Sequence, residues 1–194
     1  VPLLVVAVLL VMRQQREIAT TQAEVEGVLN IRPAMELLSL IQKHRGQTNV
    51  LLSGNTQVSA DLAQTGEQLA RARATLDQVV ASNRSFDMQA SWRALSDRLQ
   101  RLPAESQAST VAASFALHTT LVADLRRFIY STADASQLLF DPVPQTYLLM
   151  DNVVVRTIPL TDLATEEAPP PRASSGLDEL DRVLGGGLVP ASAI

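Results

Sequence analysis

The sequence predicts an all-α fold: an up-and-down antiparallel four-helix bundle, preceded by a truncated transmembrane helix and followed by a mostly irregular C-terminal tail. Three observations predict it. No glycine occurs between Gly66 and Gly176, a stretch rich in the helix formers Ala, Leu, Gln and Arg. Apolar side chains recur at three- and four-residue intervals, the period of one helix face. Where that period breaks, clusters of Gly, Asn, Ser and Pro supply short connections, which make consecutive helices antiparallel neighbours. The 194 residues are 46% hydrophobic and only 4% aromatic, with no cysteine and a net charge of −4. That length suits one domain with a smaller appendage. A mildly acidic balance offers no basic face for nucleic acid. Without cysteine there are no disulfides, no thiolate chemistry and no cysteine-ligated zinc, although the compartment stays open.

Residues 1–12 form an apolar run that stops at Arg13 and Arg16. A membrane-spanning helix needs about 20 apolar residues, so the run reads as a truncated transmembrane helix. A secretory signal fits the length, but no small residues suited to cleavage follow it; a buried core helix is the third reading. Arg13 and Arg16 would lie outside with the bundle, against the preference of positive charge for the inner side.

Residues 13–163 are the predicted bundle. Helix one runs from Arg13 to about Ser53, with Val28, Ile31, Met35, Leu38 and Ile41 on its apolar side and a possible bend at Pro33. His44 falls on the line of Leu37, Leu40 and Leu51, and Arg45 on the line of Leu38, Ile41 and Leu52. Gly46 leaves room for a close approach to the backbone. Ser53-Gly54-Asn55 is a turn signal. Residues 57–101 read as one second helix, with Leu62, Leu69 and Leu76 a heptad apart, a break or register slip near residues 81–85, and Trp92, Leu95, Leu99 and Leu102 resuming the pattern. Leu102-Pro103-Ala104 is expected to turn the chain. Helix three spans about Glu105 to Phe140, its seam formed by Phe115, His118, Val122, Leu125, Ile129 and Leu139. Asp141-Pro142-Val143-Pro144 is a hard corner. The returning fourth helix, Val143 to about Ala164, carries Tyr147, Met150, Val154 and Ile158 at helical spacing. No fixed repeat suggests a solenoid. Residues 164–175 are Pro-rich and read as a linker, and residues 176–194 as a short helix stopped by Gly185-Gly186-Gly187.

Within the bundle, Arg32-Pro33 before a leucine-rich run, Gln42-Lys43-His44-Arg45-Gly46-Gln47 followed by Leu51-Leu52-Ser53-Gly54, and Asp141-Pro142 leading to Tyr147-Leu148-Leu149-Met150-Asp151 resemble the extracytoplasmic helical sensor modules of bacterial methyl-accepting chemotaxis proteins and sensor histidine kinases. The resemblance implies a periplasmic, inner-membrane-tethered signal-transduction module that pairs as a homodimer across helix one and answers a small-molecule or protein stimulus. In that family the fourth helix continues into a second span and an output domain, neither of which follows here. Ser174 to Pro190 is instead similar to the lead-in segment of RecA-like ATPases of the RadA DNA-repair type, but the chain ends at Ile194 before any phosphate-binding loop, and Ala191 stands where that family usually has glycine. A nucleotide site needs those amides and that lysine, so this segment reads as a passenger. A RadA-like fragment is the rival reading of the chain, and an inert structural bundle the third.

The residues give no reason to expect an enzyme. His44 and His118 are far apart in sequence with no metal-ligand spacing, and no strand-turn-helix presents a nucleophile; no cofactor or metal is implied. The candidate site is a polar layer inside the bundle: His44 and Arg45 on helix one, His118 on helix three, Tyr147 and Asp151 on helix four. An unpaired buried charge is costly, so Arg45 should find Asp151, a carbonyl, water or an anionic ligand. Two roles stay open, a ligand site or a register device. Trp92 and Phe115 are expected in the core. Arg126-Arg127 should form a solvated face, and Arg98 and Arg101 need no partner.

Overall fold

The protein's structure, a computed structural model, describes residues 2–140. Four α-helices and two short 3-10 turns make up these residues: α1 (Pro2–Leu52), α2 (Ser59–Ser82), α3 (Gln89–Gln107) and α4 (Val111–Ala135), with the 3-10 turns at Thr56–Val58 and Leu138–Phe140. No strand occurs among the described residues. The predicted fourth helix with Tyr147 and Asp151, the linker 164–175 and the RadA-like segment 176–194 lie outside them.

The helices form an antiparallel ring in chain order, with α1 touching α2 and α4, and α3 touching α2 and α4. Inside the ring Leu69 and Leu76 of α2, Trp92, Leu95, Leu99 and Leu102 of α3, and Leu121, Val122, Leu125 and Ile129 of α4 form one core cluster with Ile31, Leu37, Leu38 and Ile41 of α1, and Leu62 of α2 is buried outside it. The heptads on α2 and α3 are therefore buried, as their spacing predicts. So is Trp92, which packs against Phe128 with ring centroids 5.4 Å apart.

Three boundaries differ from expectation. Residues 57–101 form two helices, because Asn83, Ser85 and Asp87 build a reversing loop. Asn83 Oδ1 accepts the backbone N–H of Ser85 and of Phe86, and Asp87 Oδ1 accepts that of Gln89. Side-chain acceptors of this kind compete with the helix ladder. Conversely, Pro103 ends nothing: α3 continues through it to Gln107. An interior proline costs about 3 kcal/mol, but the helix around it buries Leu99 and Leu102, each contributing about 1.5–3 kcal/mol. The reversal comes at Ser109 and Thr110, whose hydroxyl caps α4 by accepting from Ala113 N–H. As a result α4 starts later than Glu105 and ends at Ala135, and the four described helices form a ring among themselves.

α2 and α3 are locked by one carboxylate. Asp77 accepts from Trp92 Nε1 at 2.6 Å, from Ser96 Oγ at 3.0 Å and from Arg73 at 3.1 Å. The expected turn at Ser53-Gly54-Asn55 is present, with Gly54 at φ +100, a conformation that favours glycine, and Asn55 Oδ1 accepting from Gln57 N–H.

α1 is 51 residues long, roughly 75 Å at 1.5 Å per residue, and only its second half lies in the bundle. It crosses the last level of the ring at Glu26 and Gly27. Glu26 accepts the backbone N–H groups of Arg84 and Ser85 at 3.0 and 2.9 Å, which holds its carboxyl below the usual range. Gly27 lies so close to the end of α4 that a methyl there would overlap Ser136 Oγ and Cβ. Before that level α1 is exposed, and Leu3 to Met12 present their side chains to solvent. Among the described residues no helix is long and apolar enough to cross a membrane: the apolar run of α1 gives way to Arg13, Arg16 and Glu17 too soon. The expected transmembrane helix at 1–12 is thus without support in the described residues.

The close approach expected at Gly46 occurs at Gly27 instead, since nothing lies within 4 Å of a Cβ at Gly46. Replacing Gly46 with Ala should raise the melting temperature, as helical Ala exceeds Gly by about 1 kcal/mol. Gly27→Ala should lower it, because overpacking costs about 1–3 kcal/mol, and adding Ser136→Gly should recover part of the loss. Thermal melts followed by circular dichroism test all three.

Candidate functional site

α1 and α4 meet along an apolar seam interrupted by one polar layer. His44 is on α1 because helical spacing puts it in line with Leu37 and Ile41; His118 is on α4 in line with Val122 and Leu125. Both imidazoles are fully buried. His44 Nδ1 lies 2.9 Å from His118 Nε2, and His118 Nδ1 lies 2.7 Å from the carbonyl oxygen of Ser114. A carbonyl can only accept, so His118 carries its proton on Nδ1 and offers the Nε2 lone pair, and His44 must donate from Nδ1. The Thr48 hydroxyl, 3.3 Å from the same His44 nitrogen, flanks this bond. That assignment leaves His44 Nε2 as a buried lone pair without a donor, and Ser114 Oγ beside His118 is also buried without a partner.

Arg45 is 2% exposed. Its guanidinium donates to Thr119 Oγ1 at 3.2 Å and lies over the Phe115 ring, 5.0 Å from the centroid, a cation–π contact that gains strength when desolvated. Phe115 is accordingly half-buried under the arginine. The structure thus brings together three of the five expected residues, His44, Arg45 and His118; Tyr147 and Asp151 lie outside the described residues. Sequence reasoning missed Thr48, Ser114 and Thr119. The first two stand four residues from a histidine of the layer, the spacing that puts side chains on one helix face.

Burial holds the His44 imidazole down to about 4, with repulsion from His118 as the second cause. His118 is also lowered by burial; its bond to Ser114 opposes that shift and the nearby Arg45 charge adds to it. Both rings are therefore neutral in the fold at neutral pH. Among the described residues no group of three or more His, Asp or Glu side chains could hold a metal.

The surface arginines are more engaged than expected. Arg98 and Arg127 both pair with Asp124, and Arg101 pairs with Glu105; exposed pairs of this sort contribute little. Between α3 and α4 the first two line an open groove of about 300 Å³ with Met88, Leu95 and Phe128.

No protein-family model, curated protein or solved structure matches this chain.

The two histidines are the only ones in the chain, which makes their titration visible. Folded, they resist a proton that the unfolded chain accepts near 6.5. Stability should therefore be full above about pH 6.5 and fall as the pH drops toward 4, with His44 alone accounting for something on the order of 3 kcal/mol. Glu26, lowered from 4.5, loses its contribution only below that value. Denaturant titrations at pH 7, 6 and 5 should show the decline, and a His44→Gln/His118→Gln variant, less stable at pH 7, should show a flat profile over the same range.

Proposed function

We propose that this chain is a non-enzymatic signal-sensing module in which the packing of α1 against α4 is the responsive element and α1 carries the displacement out of the bundle. The observation that supports this most is the buried polar layer itself. It sits on the α1–α4 seam and leaves hydrogen-bonding capacity unused at His44 Nε2 and Ser114 Oγ. Each unsatisfied buried group costs about 1–3 kcal/mol, so an alternative packing that satisfies them lies within reach. A stimulus shifts the balance only by favouring one packing over the other.

The continuity of α1 supports the output half of the proposal. A change at His44 is connected through an unbroken helix to residue 2, about 60 Å away. The resemblance of the bundle residues to bacterial receptor sensor modules points the same way. On the side of α1 opposite the bundle, Ile18, Val25 and Leu29 are exposed and form a stripe suited to the homodimer which that resemblance implies. The membrane tether is left out of the proposal, since no described helix carries it. The RadA-like alternative rests on residues outside the described ones.

The test is a thermal-shift screen of small organic acids, amino acids and inorganic anions, chosen because the layer contains a buried guanidinium. For a sensor, at least one class should raise the melting temperature by several degrees in the native chain and not in Arg45→Ala, whose helical circular dichroism is retained. If Arg45→Ala loses about 2 kcal/mol or more of stability and no compound shifts either protein, the layer serves register alone.

A further inference from the structure

Along the open groove between α3 and α4, cationic side chains from both helices stand over an apolar floor. We propose that this groove binds a small monocarboxylate with an apolar body, its carboxylate bridging Arg98 and Arg127 and its body lying on Met88, Leu95 and Phe128.

Helical spacing brings these groups together. Leu95 and Arg98 stand three residues apart on α3, and Asp124, Arg127 and Phe128 three and four apart on α4, so each helix presents its share of the groove on one face. The Arg98–Asp124 pair then joins the two helices. Arg127 Nη1 lies 2.9 Å from Asp124 Oδ1, and Arg98 Nη1 pairs with Asp124 Oδ2. Guanidinium groups from the two walls thus converge on a single carboxylate.

Charge decides the class of ligand. Among the described residues the lining carries two guanidinium groups against one carboxylate, a net charge of +1, in a chain whose net charge is −4. Asp87, Asp97 and Asp134 do not line the groove. Each arginine gives one nitrogen to Asp124, from a side chain with five N–H donors. The donors that remain keep the planar fork that matches a carboxylate. One negative charge neutralises the groove, whereas a dianion such as phosphate would place excess charge beside Asp124. Arg98 and Asp124 are also partly shielded, with 40% and 22% of their side chains exposed, so attraction there is screened less than on open surface.

The floor decides the remainder of the ligand. Met88, Leu95 and Phe128 are buried yet line the groove, so the surface they keep lies at its bottom. Phe128 is backed by Trp92, with ring centroids 5.4 Å apart. From Met88 to Leu95 the floor extends about 10 Å, room for one aromatic ring beyond a carboxylate held at Arg98. The volume of about 300 Å³ is at the small end of ligand sites. Binding here requires no movement of α1, so the proposal does not rest on the sensing function.

The test is isothermal titration of phenylacetate into the full 194-residue protein at neutral pH. Binding should saturate at one site per chain. Arg98→Gln/Arg127→Gln should weaken it at least tenfold with helical circular dichroism retained, since exposed ion pairs contribute little to stability. Ala94→Phe, at an exposed position of the groove wall, should weaken it as much with every charge in place; if the double variant loses its helical signal, Ala94→Phe decides alone. Acetate, which lacks the apolar body, and phenylethanol, which lacks the charge, should each bind at least tenfold more weakly. The proposal is overturned if phenylacetate does not saturate, if a folded groove variant binds it as the native chain does, or if acetate binds equally well, the mark of general anion adsorption. Arg45→Ala should leave the affinity unchanged. Loss of binding in Arg45→Ala and not in the groove variants would put the acid in the polar layer, supporting the sensing function and overturning the groove.

Discussion

The hydrogen bond between two neutral, buried imidazoles on the α1–α4 seam is the constraint on which the arrangement of the bundle rests. Three of the four helix pairs in the ring are consecutive in the chain and are registered by their connections: the turn at Gly54, the Asn83 loop and the Thr110 cap. α1 and α4 are not consecutive, and no connection fixes how far one slides along the other. Apolar seams tolerate such sliding, since leucine packs against leucine at several heights. A pair of imidazoles does not, because displacing α4 by one residue would separate His44 Nδ1 from its only close histidine partner and leave two polar rings buried without compensation. The polar layer therefore stands at the one interface that no chain connection registers, and it shares that task with the close fit of Gly27 against Ser136.

Helix faces were legible from the sequence wherever periodicity was long and unbroken. Leu62, Leu69 and Leu76, the Trp92 to Leu102 series, and the placement of His44 and His118 on inward lines all follow from spacing alone. Boundaries were less legible, for two opposite reasons. At Pro103 a strong local signal lost to the burial of Leu99 and Leu102. At residues 83–88 a weak local signal won, because side-chain acceptors on Asn83 and Asp87 and the Glu26 carboxylate of another helix together satisfy a reversed backbone. The second difference moved the whole topology, since splitting residues 57–101 supplies the fourth described member of the ring.

Partner identities inside the layer were not legible at all. Spacing predicts that Arg45 points inward and charge logic predicts an acceptor, but only the register between α1 and α4 decides that the guanidinium meets the Thr119 hydroxyl and the face of Phe115. The Asp77 network is of the same kind. Its carboxylate looks like an ordinary exposed-face residue four positions from Arg73, and its bonds to Trp92 and Ser96 appear only when two helices are set side by side.

How α1 can move follows from where it is held. At the level of the histidines α1 meets α4 through the His44–His118 hydrogen bond, the Arg45–Thr119 hydrogen bond and Arg45 over Phe115. At the other end of the ring α1 is held twice, by the two backbone N–H groups that Glu26 accepts and by the close fit of Gly27 against Ser136. Sliding α1 along its axis would break both attachments and the histidine bond together. Tilting it about the Gly27 level leaves the lower attachments nearly in place and shifts the seam increasingly toward the polar layer. Under the proposed function, a displacement at His44 would be converted into an opposite swing of the projecting half of α1.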